Sequence, residues 1–177
     1  MMSFTQVLLR IGAIAAAVVG LAAHYAWGDV LTNHDGRFTV SFPGKVTEST
    51  QTIDTKKGVV VAHIYSYQAS NSVTYTALYS DYPAGSVGQM PAETIYDGAI
   101  NGAIGQAGGT LKSSTIVEAN GVVGREAVFD APSQRESVRV RYFLIGDRLY
   151  QVAYDGPAGS ESGKDANAFL ESFKIAR

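Results

Sequence analysis

The 177-residue chain contains no cysteine. That excludes disulfides, thiol chemistry, cysteine-based zinc sites and a lipobox-type lipoprotein anchor. A chain without staples must be held by its core alone. A domain of roughly 150 residues can do this, because folding buries about 68–70% of its unfolded surface. Charge is scarce too: 17% of residues, against a usual quarter, with a formal net charge of −2 and no long run of one sign. Such a balance gathers neither nucleic acid nor an anionic membrane surface. Histidine is limited to His24, His34 and His63. Their spacing matches no HExxH-type zinc motif, so neither a metal nor a cofactor is expected. There is no Pro-rich linker, internal repeat or low-complexity tract, and residues 29–177 read as one domain.

The N-terminus has a different composition from the rest. Arg10 is the only charged residue before Asp29, and Ile11 to Ala23 is an unbroken run of Ile, Gly, Ala, Val and Leu. Ala26-Trp27-Gly28 then offers a small-x-small site. Residues 1–28 read as a signal peptide cleaved after Gly28, which places the mature chain in the periplasm or outside the cell. The alternative is an uncleaved anchor, since Ile11 to Gly28 is at the lower edge of a spanning length. After cleavage no membrane insertion is expected.

The remaining sequence is mostly of period two. Phe38, Val40 and Phe42 alternate with Thr39 and Ser41 and stop at Pro43-Gly44, which predicts a strand. Residues 47–55 read as a polar edge strand, and strands follow at 58–67 and 72–83. From Pro91 to Ala107 the period changes to helical, through Tyr96, Ile100, Ala103, Ile104 and Ala107, until Gly108-Gly109 stops it. Gly98, Gly102 and Gly105 weaken this helix and suggest a close approach to a sheet. Strands return at 110–119, 122–131, 137–146 and 148–154, with Asn120-Gly121 a strong hairpin signal. Ser162 and Asp165 look like a capping box for a last helix with the stripe Ala166, Phe169, Leu170 and Phe173. Runs of strands joined by short turns imply an antiparallel sheet of about seven to eight strands covered by two helices, an α+β sandwich.

Catalytic motifs are missing. The segment "GSESG" at 159–163 carries Glu161 where a nucleophile elbow needs serine, and "GAIGQAGG" is not a dinucleotide fingerprint and lies late in a helix. No catalytic residue is therefore assigned. Tyrosine, by contrast, is plentiful, with ten in the chain and six between Tyr65 and Tyr96. Tyr79, Asp81 and Tyr82, ahead of Pro83, are expected to form an exposed patch bordered by the loop 83–91. The segment "GDRLYQVAYDG" separates in the same way when read at period two. A type II′ turn at Gly146-Asp147 would pair Ile145 with Arg148, and onward Leu144 with Leu149, Phe143 with Tyr150, Arg141 with Val152, and Arg139 with Tyr154. The more apolar face should meet the helices. The other would turn Arg139, Arg141, Tyr150 and Tyr154 to solvent, with Arg139 over Tyr154 as a cation–π pair. Those four, with Tyr79 and Tyr82, are the candidate ligand-binding residues.

The segments "GRFTVSFPGKV" (36–46), "SDYP" (80–83), "YFLIGDRLYQVAYDGP" (142–157) and "FLESF" (169–173), in this element order, resemble the PsbP-like superfamily of small α/β sandwich domains. That superfamily includes the extrinsic PsbP subunit of photosystem II and many secreted bacterial proteins. The resemblance spans roughly residues 36–175 and implies a binding or accessory role. It carries no site residue over and does not imply photosystem binding. The leading expectation is an exported, non-enzymatic binding domain whose partner is a protein or small ligand of the bacterial cell envelope. A small hydrolase or lyase built on Asp, Glu and Tyr would instead require a deep cleft with two carboxylates. A self-associating envelope protein would use an edge strand such as 47–55.

Overall fold

A computed structural model describes residues 29–55 and 58–176. The expected signal peptide, residues 1–28, lies outside them. The described residues form ten strands: β1 (Asp29–Asn33), β2 (Phe38–Phe42), β3 (Thr47–Thr55), β4 (Gly58–Ser70), β5 (Val73–Asp81), β6 (Leu111–Ala119), β7 (Val122–Ala131), β8 (Glu136–Ile145), β9 (Arg148–Pro157) and β10 (Lys174–Ile175). Helix α1 (Ala92–Ala107) follows β5, and α2 (Lys164–Ser172) follows β9.

Strands β3 to β9 make one seven-stranded antiparallel sheet in the order β3-β4-β5-β9-β8-β7-β6. The order follows from the connections. Three strands meander, α1 carries the chain across one face to the far edge, and four strands meander back until β9 meets β5. The hairpin registers agree with the alternation of the sequence. Ile145 pairs with Arg148, Phe143 with Tyr150 and Arg139 with Tyr154. Gly146 alone supplies the positive φ of that turn, at 57°. At the β6–β7 hairpin both central residues are left-handed, Asn120 at 50° and Gly121 at 78°, as a type I′ turn requires.

The sequence reading placed both helices on one face and solvent on the other. The structure corrects this, because the sheet is buried on both faces. Under α1 lie Ile64, Leu78, Phe129, Val140, Tyr142 and Leu149, packed against Ile95, Tyr96, Ala99, Ile100 and Ala103. On the opposite face lie Tyr75, Ala77, Tyr79, Phe143, Tyr150, Val152 and Tyr154. A second small sheet, ordered β1-β2-β10, covers them together with α2. Its contributions are Phe38, Val40 and Phe42 from β2, and Ala166, Phe169, Leu170, Phe173 and Ile175 from the C-terminal segment. A fully buried phenylalanine contributes about 1.5–3 kcal/mol relative to exposure, so this second layer is a full core. The segment 29–33, for which no strand is predicted, is a strand because β2 offers it a free edge.

Two local expectations also change. Helix α2 begins after Gly163 with no side-chain cap, and Ser162 sits in a short 3₁₀ turn. Gly105 is exposed and nothing lies within 4 Å of where a Cβ would sit, so it marks no close approach.

Candidate functional site

At one end of the sheet, the β1–β2 and β8–β9 turns meet the start of β7. They enclose a groove of about 460 Å³ lined by Asp35, Arg37, Val122, Ile145, Arg148 and Tyr150, with Ala176 at its edge. The volume is in the range of ordinary ligand and peptide pockets.

The β1–β2 turn is shaped by Asn33, whose Oδ1 accepts the Gly36 N–H at 2.5 Å. It ends on Arg37 at φ 52°, a conformation that costs an L-residue about 1–2 kcal/mol. Tertiary structure holds it there, since the Ala176 N–H donates to the Arg37 carbonyl at 2.8 Å. The Arg37 side chain is left exposed at the groove's rim.

Arg148 forms the opposite wall. Its Nε and Nη2 clasp the two Asp81 carboxylate oxygens at 2.5 and 2.8 Å, and Nη1 donates to the Asp35 carbonyl at 2.6 Å. The guanidinium lies 4.4 Å from the Tyr79 ring centroid. These contacts, the Asp81 bonds above all, hold the Arg148 pKa above its ordinary value, so the charge is fixed. Beside it Ile145 is 42% exposed. Beneath, the Tyr150 hydroxyl donates to the buried Gly36 carbonyl at 2.8 Å and locks the β1–β2 turn onto the sheet.

The Gly146-Asp147 turn also has a role beyond reversing the chain. The Asp147 carboxylate accepts N–H bonds from Gly85, Val87 and Gly88 at 2.7, 2.9 and 2.8 Å. It thereby pins the loop 83–91, and these donors hold its carboxyl below the usual range.

The expected Arg/Tyr surface does not exist as a solvent face. Tyr79, Tyr150 and Tyr154 are in the core under α2 and the small sheet, and Tyr82 is buried on the α1 side. Asp81 is half-buried on Arg148, so the anticipated Tyr79–Asp81–Tyr82 patch is closed as well. Arg139 does not pair with Tyr154. Its Nε meets Glu126 at 3.0 Å and its Nη1 meets Asn167 of α2 at 2.6 Å. Arg141 shares the same Glu126 at 2.6 Å and donates to the Leu170 carbonyl near the end of α2 at 3.0 Å. The two arginines thus fasten α2 to the sheet. Tyrosine alternation is compatible with either placement, because its ring suits a core and its hydroxyl a rim. Of the predicted residues, only Tyr150 reaches the groove. Arg37, Ile145 and Arg148 carry no motif that marks them in the sequence, although two of them flank the predicted turn.

No family profile and no curated protein matches the sequence. Among solved structures, the chain is similar to cyanobacterial PsbP (CyanoP) from Synechocystis sp. PCC 6803, with a TM-score of 0.52 and 9% identity over 94% of this chain and 99% of that one. Weaker likenesses are to a Pseudomonas aeruginosa protein of unknown function described as a putative regulator (TM-score 0.42, 9% identity, 75% and 84% of the two chains) and to a Bacteroides thetaiotaomicron protein (TM-score 0.42, 11% identity, 85% and 49%). The fold is PsbP-like.

Proposed function

We propose that this chain is a non-enzymatic binding or accessory domain, exported to the bacterial cell envelope, that holds a segment of a protein partner in the groove between residues 34–37 and 145–148. The observation that carries this reading is Arg37, held in a left-handed conformation with its side chain exposed at the rim of a groove that Val122 and Ile145 also line. Strained backbone kept in place by tertiary contacts is characteristic of binding sites. An exposed isoleucine and an arginine rim have the composition of an interface. The segment 1–28, a single arginine ahead of an apolar run and read as an export signal, supports the compartment.

A photo-crosslinking residue at Ile145, compared with one at exposed Thr50 on the β3 edge, tests the reading in the native envelope. A discrete adduct is expected from position 145 alone, and it should be lost on Arg37→Glu. An equal adduct from position 50 would overturn it. An adduct with the mass of two copies of the chain would favour self-association instead. Mass spectrometry of the exported protein should find Asp29 as its first residue.

A further inference from the structure

The α1 face of the sheet holds a second feature, separate from the groove. Under the C-terminal half of α1 is a cavity of about 40 Å³. Leu78, Phe129, Val138 and Val140 supply apolar walls. Its polar groups include Tyr142, Gln151 and Asp155. Strand alternation brings them together, because Gln151 and Asp155 share a face of β9, and Val138, which pairs with Asp155, shares a face of β8 with Tyr142.

One of these groups lacks the partner that burial demands, and a second, half-buried, lacks a counter-ion. Tyr142 is fully buried, and its hydroxyl has no hydrogen-bond partner. Among the described residues, no cation forms an ion pair with Asp155. Helix α1 contains no basic residue, and neither does β5. Arg139 and Arg141 point to the opposite face, held by Glu126. Arg125 is committed to Glu93 at the other end of α1. Lys112 is turned to Ser137 on the far face. The charged neighbour that Asp155 does have is another acid, Glu136, on the same face of β8. Burial, and then Glu136, push the Asp155 carboxyl up to about 7. Two acids on one face, with no basic residue on α1 or β5, disfavour an anion there. A cation supplies the missing countercharge.

We propose that this cavity binds the ammonium head of a small primary amine, paired with Asp155 and hydrogen-bonded to Tyr142 and Gln151. At about 10–15 Å³ for each water-sized group, the space takes an ammonium and about two carbons. The apolar walls face those carbons. A substrate together with an attacking water would not fit, which separates the site from a two-carboxylate hydrolase despite the presence of Asp155 and Glu136.

The test is an NMR titration of the wild-type chain with ethylammonium chloride, against ethanol and against sodium chloride at equal ionic strength. Asp155 and Tyr142 resonances should saturate with ethylammonium only. Because the ionised carboxylate is the partner, affinity should rise about tenfold per pH unit from pH 5 to 7 and level off above. Bound amine should lower the Asp155 titration midpoint by a pH unit or more. Asp155→Asn should abolish saturation and Tyr142→Phe should weaken it several-fold, with the remaining spectrum unchanged. Equal saturation by ethanol, the same midpoint shift from sodium chloride, or undiminished binding by Asp155→Asn would overturn the proposal. If a variant fails to fold, the wild-type comparison of the three solutes decides alone. The outcome is independent of the groove, because no residue is shared.

Discussion

Asp155 should make this protein less stable at neutral pH than it would be without that carboxylate. The carboxyl is raised from 3.8 to about 7, first by burial and second by Glu136. Each decade of proton affinity is about 1.4 kcal/mol, so the folded state loses up to about 4 kcal/mol once the group must ionise. The sign follows from proton counting. Below about pH 4 the carboxyl is protonated in both folded and unfolded chains and costs nothing. Between about pH 4 and 7 the unfolded chain has released the proton while the folded one retains it, so stability falls as pH rises. Above about pH 7 the full penalty applies. Asp155→Asn keeps the shape and removes the titration. The variant should match the wild type near pH 4 and exceed it by up to about 4 kcal/mol at pH 8, a large fraction of a typical total of 5–15 kcal/mol. Glu136, whose carboxyl burial also raises, is present in both chains. Urea unfolding at several pH values from 4 to 8 measures the difference directly. A difference between the two proteins that stays constant across this window would refute the reasoning.

Other perturbations give equally definite outcomes. Gly105→Ala, at an exposed helical position with open space around its Cβ, should stabilise by about 0.5–1 kcal/mol in thermal or urea unfolding. Glu126→Gln leaves two largely buried guanidinium groups without their anion and should cost about 3 kcal/mol, with amide exchange accelerating first in residues 164–172. Asp147→Ala removes the acceptor shared by three loop amides, so Gly85, Val87 and Gly88 should lose exchange protection while the sheet core keeps its own. Because those donors hold the Asp147 carboxyl low, the same protection in the wild type should persist at mild acidity and disappear only as pH falls through the depressed value.

Much of the molecule follows from local sequence. Alternation set the hairpins pair by pair, and the change of period between Pro91 and Ala107 set α1. Asn120-Gly121 and Gly146 set their turns, because only those residues accept the positive φ that a tight hairpin needs. The stripe from Ala166 to Phe173 announced a buried helix face. These features depend on neighbours in the chain, and chain neighbours are what a sequence displays.

What covers each face of a sheet is a different matter. Period two says that a strand has two sides, but not what lies above either one. The layer over Tyr79, Tyr150 and Tyr154 comes from both ends of the domain, joined by contacts such as the Ser41 N–H to Ser172 Oγ, 2.9 Å apart and 131 residues distant in sequence. Only that closure turned a presumed Arg/Tyr surface into core and converted Arg139 and Arg141 into fasteners for α2. Tertiary structure likewise decided the groove and the cavity. Arg37 and Ile145 line one groove because two turns converge, and Asp155 is left without a countercharge because Arg139 and Arg141 face the other way and Arg125 is held by Glu93. Local sequence determined the strands, turns and helices through short-range sterics and hydrogen bonding. The sites were decided by burial, which depends on which distant segments happen to pack together.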